Sequence, residues 1–240
     1  MTLHLRCAAV TDRGHVRSSN QDCLFAGSHL LAVADGMGGM AAGDVASAIA
    51  IEAMKSLDTQ IDDDRQMDAL HKALEEANGR IADTVTADPA LQGMGTTLTA
   101  MLFSGGRAAL AHVGDSRAYL LRDGRLNQLT KDDTYVQMLV DQGLIRPEEA
   151  GSHPRRAVVT QALQGEPVSP SYVVVDPEPG DRWLLCSDGL TTVVSFETIE
   201  TALRQYPDLQ ACADHLLDLA LRGGGPDNIS LIVADLTADA

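Results

Sequence analysis

Short apolar runs that begin or end at an aspartate beside glycine recur along this chain, and they restrict its fold more than any other feature. Leu30-Leu31-Ala32-Val33-Ala34 stops at Asp35-Gly36, and Ala109 to Val113 runs into Gly114-Asp115. Trp183-Leu184-Leu185-Cys186-Ser187 stops at Asp188-Gly189, and Asp227 lies in a glycine loop just before Asn228-Ile229-Ser230-Leu231-Ile232. An apolar run of this length, bounded by turn signals, reads as a buried strand. If the strands are neighbours, their aspartates meet at one rim. Without a cation such carboxylates repel one another, and at least one takes up a proton. Oxygen ligands with no cysteine or histidine beside them select hard ions, Mg²⁺ or Mn²⁺, over zinc. Asp-Gly is also a common hairpin pair, so spacing alone equally admits ordinary strand-end aspartates.

The remaining pattern sets the class. Strands are expected at Leu5 to Thr11, Cys23 to Ala26, Thr96 to Phe103, Ala118 to Arg122, Arg125 to Leu129, Tyr172 to Asp176 and Ile229 to Leu236. Asp123-Gly124, between two matched strands, reads as a two-residue hairpin. Apolar residues at helical spacing predict helices over Ala41 to Leu57, Met67 to Val85, Thr134 to Leu144, Phe196 to Gln205 and Leu209 to Leu221. Arg146 to Gly165 has no clear period and reads as an exposed, irregular flap. Strands in hairpin-linked groups with paired helices describe an α+β chain with antiparallel sheets, not a βαβ alternation. Neither a repeat nor a linker interrupts residues 1–240, which read as a single domain with a flap at about 131–171.

Composition excludes several roles. A formal net charge of -16 disfavours nucleic acid and anionic membrane surfaces. Aromatics are only 3% of residues, so Ala, Val, Leu and Ile must fill the core. Cys7, Cys23, Cys186 and Cys212 lack CxxC spacing and read as reduced core residues. No apolar run is long enough to span a bilayer, and the first residues carry no signal-peptide core. These features predict a soluble, cytoplasmic monomer. Arg17 lies in a polar loop ahead of Asn20 and Asp22, where a guanidinium beside a cation cluster could grip phosphate through paired hydrogen bonds.

Six stretches in order then match one family. They are GHVRSSNQD at 14–22, VADGMGG with AAGDVAS at 33–47, GMGTTLTA at 93–100, HVGDSRAYLLRDG at 112–124, LCSDGL at 185–190 and GGGPDNIS at 223–230. The chain resembles the metal-dependent protein serine/threonine phosphatases of type 2C in their compact bacterial form. It is especially similar to the actinobacterial enzymes partnered with Pkn-type kinases. The resemblance implies a four-layer αββα sandwich with two antiparallel β-sheets and a metal centre at one end. It implies two Mn²⁺ or Mg²⁺ ions held by Asp35, the Gly36 carbonyl, Asp188 and Asp227, and a third, weaker ion at Asp115 and Asp188. Arg17 would bind the substrate phosphate, Asp22 would act through water, and Gln21 and Asn228 would support the ligands. The implied reaction is direct attack of a metal-bridging water or hydroxide on phosphoserine and phosphothreonine in proteins, serine/threonine kinases among them.

Three positions depart from the family's pattern. Met37 replaces the histidine of animal members, Thr192 stands where an acidic residue is frequent, and Ala157 stands where some relatives place a serine near the third ion. Two other functions share the motifs: an inactive phosphoprotein-binding regulator on the same fold, and a phosphatase of small esters. Loss of a ligand aspartate would favour the first, and none is lost. Sugar-phosphate turnover would favour the second.

Overall fold

The computed structural model describes residues 3–38, 42–104 and 106–238. Gly39 of the glycine motif and Ala41, the expected start of the first helix, lie outside the described residues.

The chain begins with strands β1 (Leu3–Asp12), β2 (Cys23–Ala26), β3 (Leu30–Ala34) and β4 (Gly36–Met37), followed by helices α1 (Gly43–Lys55) and α2 (Gln66–Ala87). After a 3₁₀ turn at Pro89–Leu91 come β5 (Gly95–Thr96), β6 (Leu98–Ser104), β7 (Arg107–Val113), β8 (Arg117–Arg122) and β9 (Arg125–Gln128). The flap carries α3 (Tyr135–Asp141) and α4 (Pro147–Ala150). The last part holds β10 (Ser171–Val175), β11 (Arg182–Cys186), α5 (Asp188–Thr191), α6 (Phe196–Gln205), α7 (Leu209–Arg222) and β12 (Ile229–Ala238). One antiparallel sheet has the order β1-β12-β11-β8-β9 and the other β10-β7-β6-β3-β2.

Alternation along the strands divides the core into three apolar layers. In β3, Leu30, Ala32 and Ala34 face α1 and α2, while Leu31 and Val33 point between the sheets. In β11, Leu184 and Cys186 face α6 and α7, while Trp183 and Leu185 point between the sheets. The result is the expected αββα stack. With so few aromatics, the middle layer centres on Trp183, whose ring meets Phe103 edge-on at 5.4 Å. The 123–124 hairpin forms as expected, with φ of 51° at Asp123 and 73° at Gly124. Two positive φ values give the turn whose twist suits paired strands.

Several elements differ from the sequence reading. Thr96 to Phe103 is not one strand. Gly95–Thr96 pairs with Gly36–Met37 as a separate ribbon, and β6 starts at Leu98. The break comes from the Asp35 carbonyl, which accepts from Thr97 N–H at 2.9 Å and from Thr96 Oγ1 at 2.9 Å. The stretch 146–165 is not wholly irregular. Pro147 opens α4, and the Glu149 carboxylate accepts from Arg146 N–H at 2.7 Å, which closes its first turn. The return of the flap is packed against the body: Leu163 is fully buried and bridges Thr96, and Gly165 N–H donates to Asn78 Oδ1 at 2.8 Å.

Candidate active site

The two sheets end together around one cavity of about 410 Å³. Asp35 follows β3 and Asp115 follows β7 in one sheet; Asp188 follows β11 and Asp227 precedes β12 in the other. All of them line the cavity with Arg17, Gln21, Gly36, Met37 and Asn228. Asp22 lies just behind. The sequence-predicted residues are therefore brought together from five separate stretches of chain. Among the described residues, no group of three or more His, Cys, Asp or Glu side chains meets as a finished metal cage. The carboxylates converge on the cavity, where Asp188 also meets Asp35 through a side-chain hydrogen bond.

Each support can be traced. Asp35 N–H donates to Thr97 Oγ1 at 3.0 Å, which fixes the end of β3. Gly36 permits close packing: a Cβ there would lie 2.2 Å from the Gly43 carbonyl oxygen and 2.4 Å from that of Gln21. This crowding requires a glycine at 36 whatever its carbonyl binds. Gly189 meets the same limit from the other sheet, with a Cβ position 1.9 Å from Asn228 O. That contact sets Asp188 beside Asp227. Asn228 is the clamp of the site. Its Nδ2 donates to Arg13 O and Ser19 O, each at 2.9 Å, and its Oδ1 accepts from Gln21 N–H at 2.8 Å. Ser47 Oγ holds the Gln21 carbonyl at 2.6 Å.

Sequence reasoning missed two residues here. Ser187 Oγ donates to Asp22 Oδ2 at 2.8 Å and accepts from Ser230 N–H at 3.0 Å. Ser187 precedes Asp188 and Ser230 follows Asn228, so both sit inside motifs already noted; only the pairing of β11 with β12 shows that they meet. Arg17 also differs from a free phosphate ligand. Its Nη2 donates to Asp227 Oδ2 at 2.6 Å, and its side chain is 53% exposed. It rests on a carboxylate, with one face still open to the cavity.

Electrostatics show what the site can hold. Burial pushes Asp22 and Asp188 up to about 6 and Asp115 up to about 7. For Asp22, the Ser187 and Ser230 hydrogen bonds oppose burial while the charges of Asp188 and Asp227 add to it. For Asp115, the charge of Asp188 adds and that of Arg117 opposes. Asp35 is raised well above the usual carboxylate range, by burial first and then by Asp22, Asp188, Asp115 and Asp227. Negative charge therefore accumulates faster than the protein itself neutralises it. Asp22 Oδ1 is buried with no hydrogen-bond partner among the described residues, an acceptor left over close to the carboxylates. An all-oxygen, anionic donor set with an orphaned acceptor fits hard divalent cations.

The departures also take positions. Met37 lines the cavity and accepts a contact from Gln164 Nε2 at 3.8 Å. Among the described residues, no histidine lines this cavity. Ala157, with Asp115, Asp188 and Asp227, also lines a neighbouring cavity of about 310 Å³ that reaches Arg117, Asp132 and Thr192.

Comparison with known proteins gives the family. The family model described as Protein phosphatase 2C matches residues 12–222. The chain belongs to that family. It is 55% identical over 239 residues to the serine/threonine protein phosphatase PstP of Mycobacterium tuberculosis, covering 98% of this chain and 46% of that protein. The chain thus spans about half the length of that relative. A crystal structure of the M. tuberculosis enzyme superposes with a TM-score of 0.96 at 54% identity, covering 98% of this chain and 100% of that one. A PstP catalytic domain in complex with two manganese ions superposes with a TM-score of 0.93 at 52% identity, covering 99% and 100%.

Proposed function

We propose that this chain hydrolyses phosphoserine and phosphothreonine on proteins at the cavity between the ends of the two sheets. The observation that carries this reading is the convergence of Asp35, Asp115, Asp188 and Asp227 from both sheets around Arg17. Asp35, the Gly36 carbonyl, Asp188 and Asp227 would hold two Mn²⁺ or Mg²⁺ ions, and Asp115 with Asp188 a third. The two manganese ions of the PstP catalytic domain support the first two of these. When bound, such ions supply positive charge to a phosphoryl group and acidify a water to near neutrality.

The chain's own groups do the rest. Arg17, freed in part from Asp227, orients the phosphate by a charge-assisted pair. Asp22, behind the cavity lining, would act through a water on its unpartnered oxygen. Asn228 and Gln21 keep the loop carrying Arg17 in register with Asp227. With Met37 where a proton donor could stand, the departing alkoxide takes its proton from water, because a thioether has none to give. Low basicity of the leaving group should therefore matter, and aryl phosphates should outpace alkyl ones when chemistry limits turnover.

The physiological substrates would be phosphoproteins, serine/threonine kinases among them, and the domain would act as a cytoplasmic monomer. The similarity to PstP supports phosphoprotein substrates; among the described residues no helix is long and apolar enough to cross a membrane. Hydrolysis of a phosphothreonine peptide with Mn²⁺, repeated in excess EDTA, tests the reading. Full activity in EDTA would overturn it, and a preference for sugar phosphates would select the small-ester alternative.

A further inference from the structure

Beneath the carboxylate rim a row of buried polar groups runs from Asp35 to the root of the flap. Asp35 N–H donates to Thr97 Oγ1 at 3.0 Å, and the Thr97 and Ser116 hydroxyl oxygens lie 2.8 Å apart. Thr99 Oγ1 donates to Ser116 O at 3.0 Å and lies 2.9 Å from His112 Nδ1. His112 Nε2 lies 3.1 Å from Lys131 O, where the flap begins. Thr97, Thr99, His112 and Ser116 are each 0% exposed. Beside this row, Asp133 N–H donates to Gly114 O at 2.7 Å, Gly114 N–H donates to Asp133 Oδ2 at 2.9 Å, and Thr160 N–H donates to Asp133 O at 2.7 Å. Both ends of the flap are tied at this point.

Counting hydrogens shows what the ring must be. Lys131 O and Ser116 O can only accept. Thr99 brings one hydrogen, a neutral imidazole one and an imidazolium two. Burial pushes His112 below its ordinary range, with the charges of Asp133 and Asp132 opposing, so the ring is neutral at slightly alkaline pH. A neutral ring then has one proton for two neighbours. A hydroxyl can turn to offer its hydrogen to Nδ1, but a carbonyl cannot turn to offer anything to Nε2. The proton therefore belongs on Nε2, and Thr99 shares its hydrogen between Nδ1 and Ser116 O.

We propose that His112 is a positioning residue of the phosphatase: neutral and protonated on Nε2, it joins the flap root at Lys131 to the Thr99–Ser116–Thr97 row that supports Asp35 and Asp115. The sequence marked His112 only as a strand residue facing the core. The structure makes it the one side chain in the row that bonds to both the sheet and the flap. Its effect on turnover rests on the reading of the rim as the active site; the state of its ring does not.

The test uses the whole chain with ¹⁵N-labelled histidine. The His112 resonances, assigned by their loss in His112→Gln, should show a pyrrole-type Nε2 and a pyridine-type Nδ1 near pH 7.5. A proton on Nδ1 would overturn the proposal. His112→Phe fills the space but leaves Lys131 O unmatched. It should lower kcat/KM for a phosphothreonine peptide and speed amide exchange at Asp133 and Thr160, each by about tenfold, the size of one lost buried hydrogen bond. His112→Gln, whose amide can donate to Lys131 O and accept from Thr99, should restore both to within about threefold. Wild-type exchange in His112→Phe, or faster exchange with unchanged kcat/KM, would overturn the positioning role. If His112→Phe does not fold, Thr99→Val removes the other half of the joint with little change of shape, and unchanged exchange at Asp133 and Thr160 in that variant overturns the proposal equally. A wild-type protein without phosphatase activity would defeat the functional reading while leaving the ring result intact.

Discussion

At the scale of single residues, the site is built from acids that the fold alone does not favour as anions. Asp22 and Asp188 at about 6 and Asp115 at about 7 lie above the unfolded value near 3.8. A carboxyl raised in the folded state binds protons better there than in the unfolded chain. Its stabilising contribution is complete below the unfolded value and is lost as pH rises through the folded one. Metal-free protein should therefore lose thermal stability between pH 5 and pH 8, and saturating Mn²⁺ should flatten that slope. Melting curves in EDTA and in Mn²⁺ check this; a Tm in EDTA that rises over the range would count against it. The same reasoning separates function from stability in variants. Asp35→Asn, Asp188→Asn and Asp227→Asn should each cut kcat/KM by at least about a hundredfold, beyond the usual cost of disturbing a residue behind a metal ligand. Asp188→Asn in EDTA should nevertheless melt no lower than the wild type, because it removes a crowded charge. Arg17→Ala should raise KM or lower kcat by about 1.5–3 kcal/mol of binding to the phosphate. It should leave Mn²⁺ binding intact by calorimetry, because the arginine occupies Asp227 and is no ligand itself.

At the scale of elements, the rim depends on strand ends that meet through backbone rather than through side chains. Gly189→Ala places a methyl where Asn228 O already sits, 1.9 Å from the Cβ position. The turn of α5 and the start of β12 must then part, and Asp188 and Asp227 part with them. The variant should lose most activity and melt several degrees lower, as a forced core displacement of about 1–3 kcal/mol would do. Wild-type kinetics in it would show that the two carboxylates need not be adjacent. Such contacts mark the limit of what the sequence discloses. Strand ends at Asp35, Asp115, Asp188 and Asp227 were legible because burial and turn signals are local, as were the 123–124 hairpin and the helix at Phe196–Gln205. The ribbon of Gly36–Met37 with Gly95–Thr96 was not, because two-residue strands have no period and form only when Thr96 and Thr97 reach the Asp35 carbonyl. The roles of Ser187, Ser230 and Asn228 were equally hidden, because each is set by a partner many residues away. Resemblance to a family named the site residues in advance. It could not show that Arg17 rests on Asp227 or that Gly36 is required by packing against Gly43 and Gln21.

At the scale of the molecule, the proposed ligand set would make the cations part of the sandwich. Asp35 and Asp115 belong to one sheet, Asp188 and Asp227 to the other. Away from the rim, the sheets are joined by an apolar layer around Trp183, Leu185, Leu31 and Met101. At the rim that layer gives way to buried Thr97, Thr99, His112 and Ser116, then to carboxylates that repel one another across the gap. The end proposed to perform the chemistry is thus the end at which the sheets hold together least well unaided. Ions that bind only when both sheets are in place act as a crosslink, and unfolding must release them. Each site at a hundred times its dissociation constant contributes about 2.7 kcal/mol. Tm should therefore climb with the logarithm of Mn²⁺ concentration well above saturation of activity. The gain should fall sharply when either sheet loses a ligand, in Asp35→Asn as much as in Asp227→Asn. Calorimetric melts across a Mn²⁺ series test the idea. A Tm that stays level while activity saturates, or a gain that survives loss of the ligands of one sheet, would place the ions on a single sheet and leave the apolar layer alone to hold the sandwich closed.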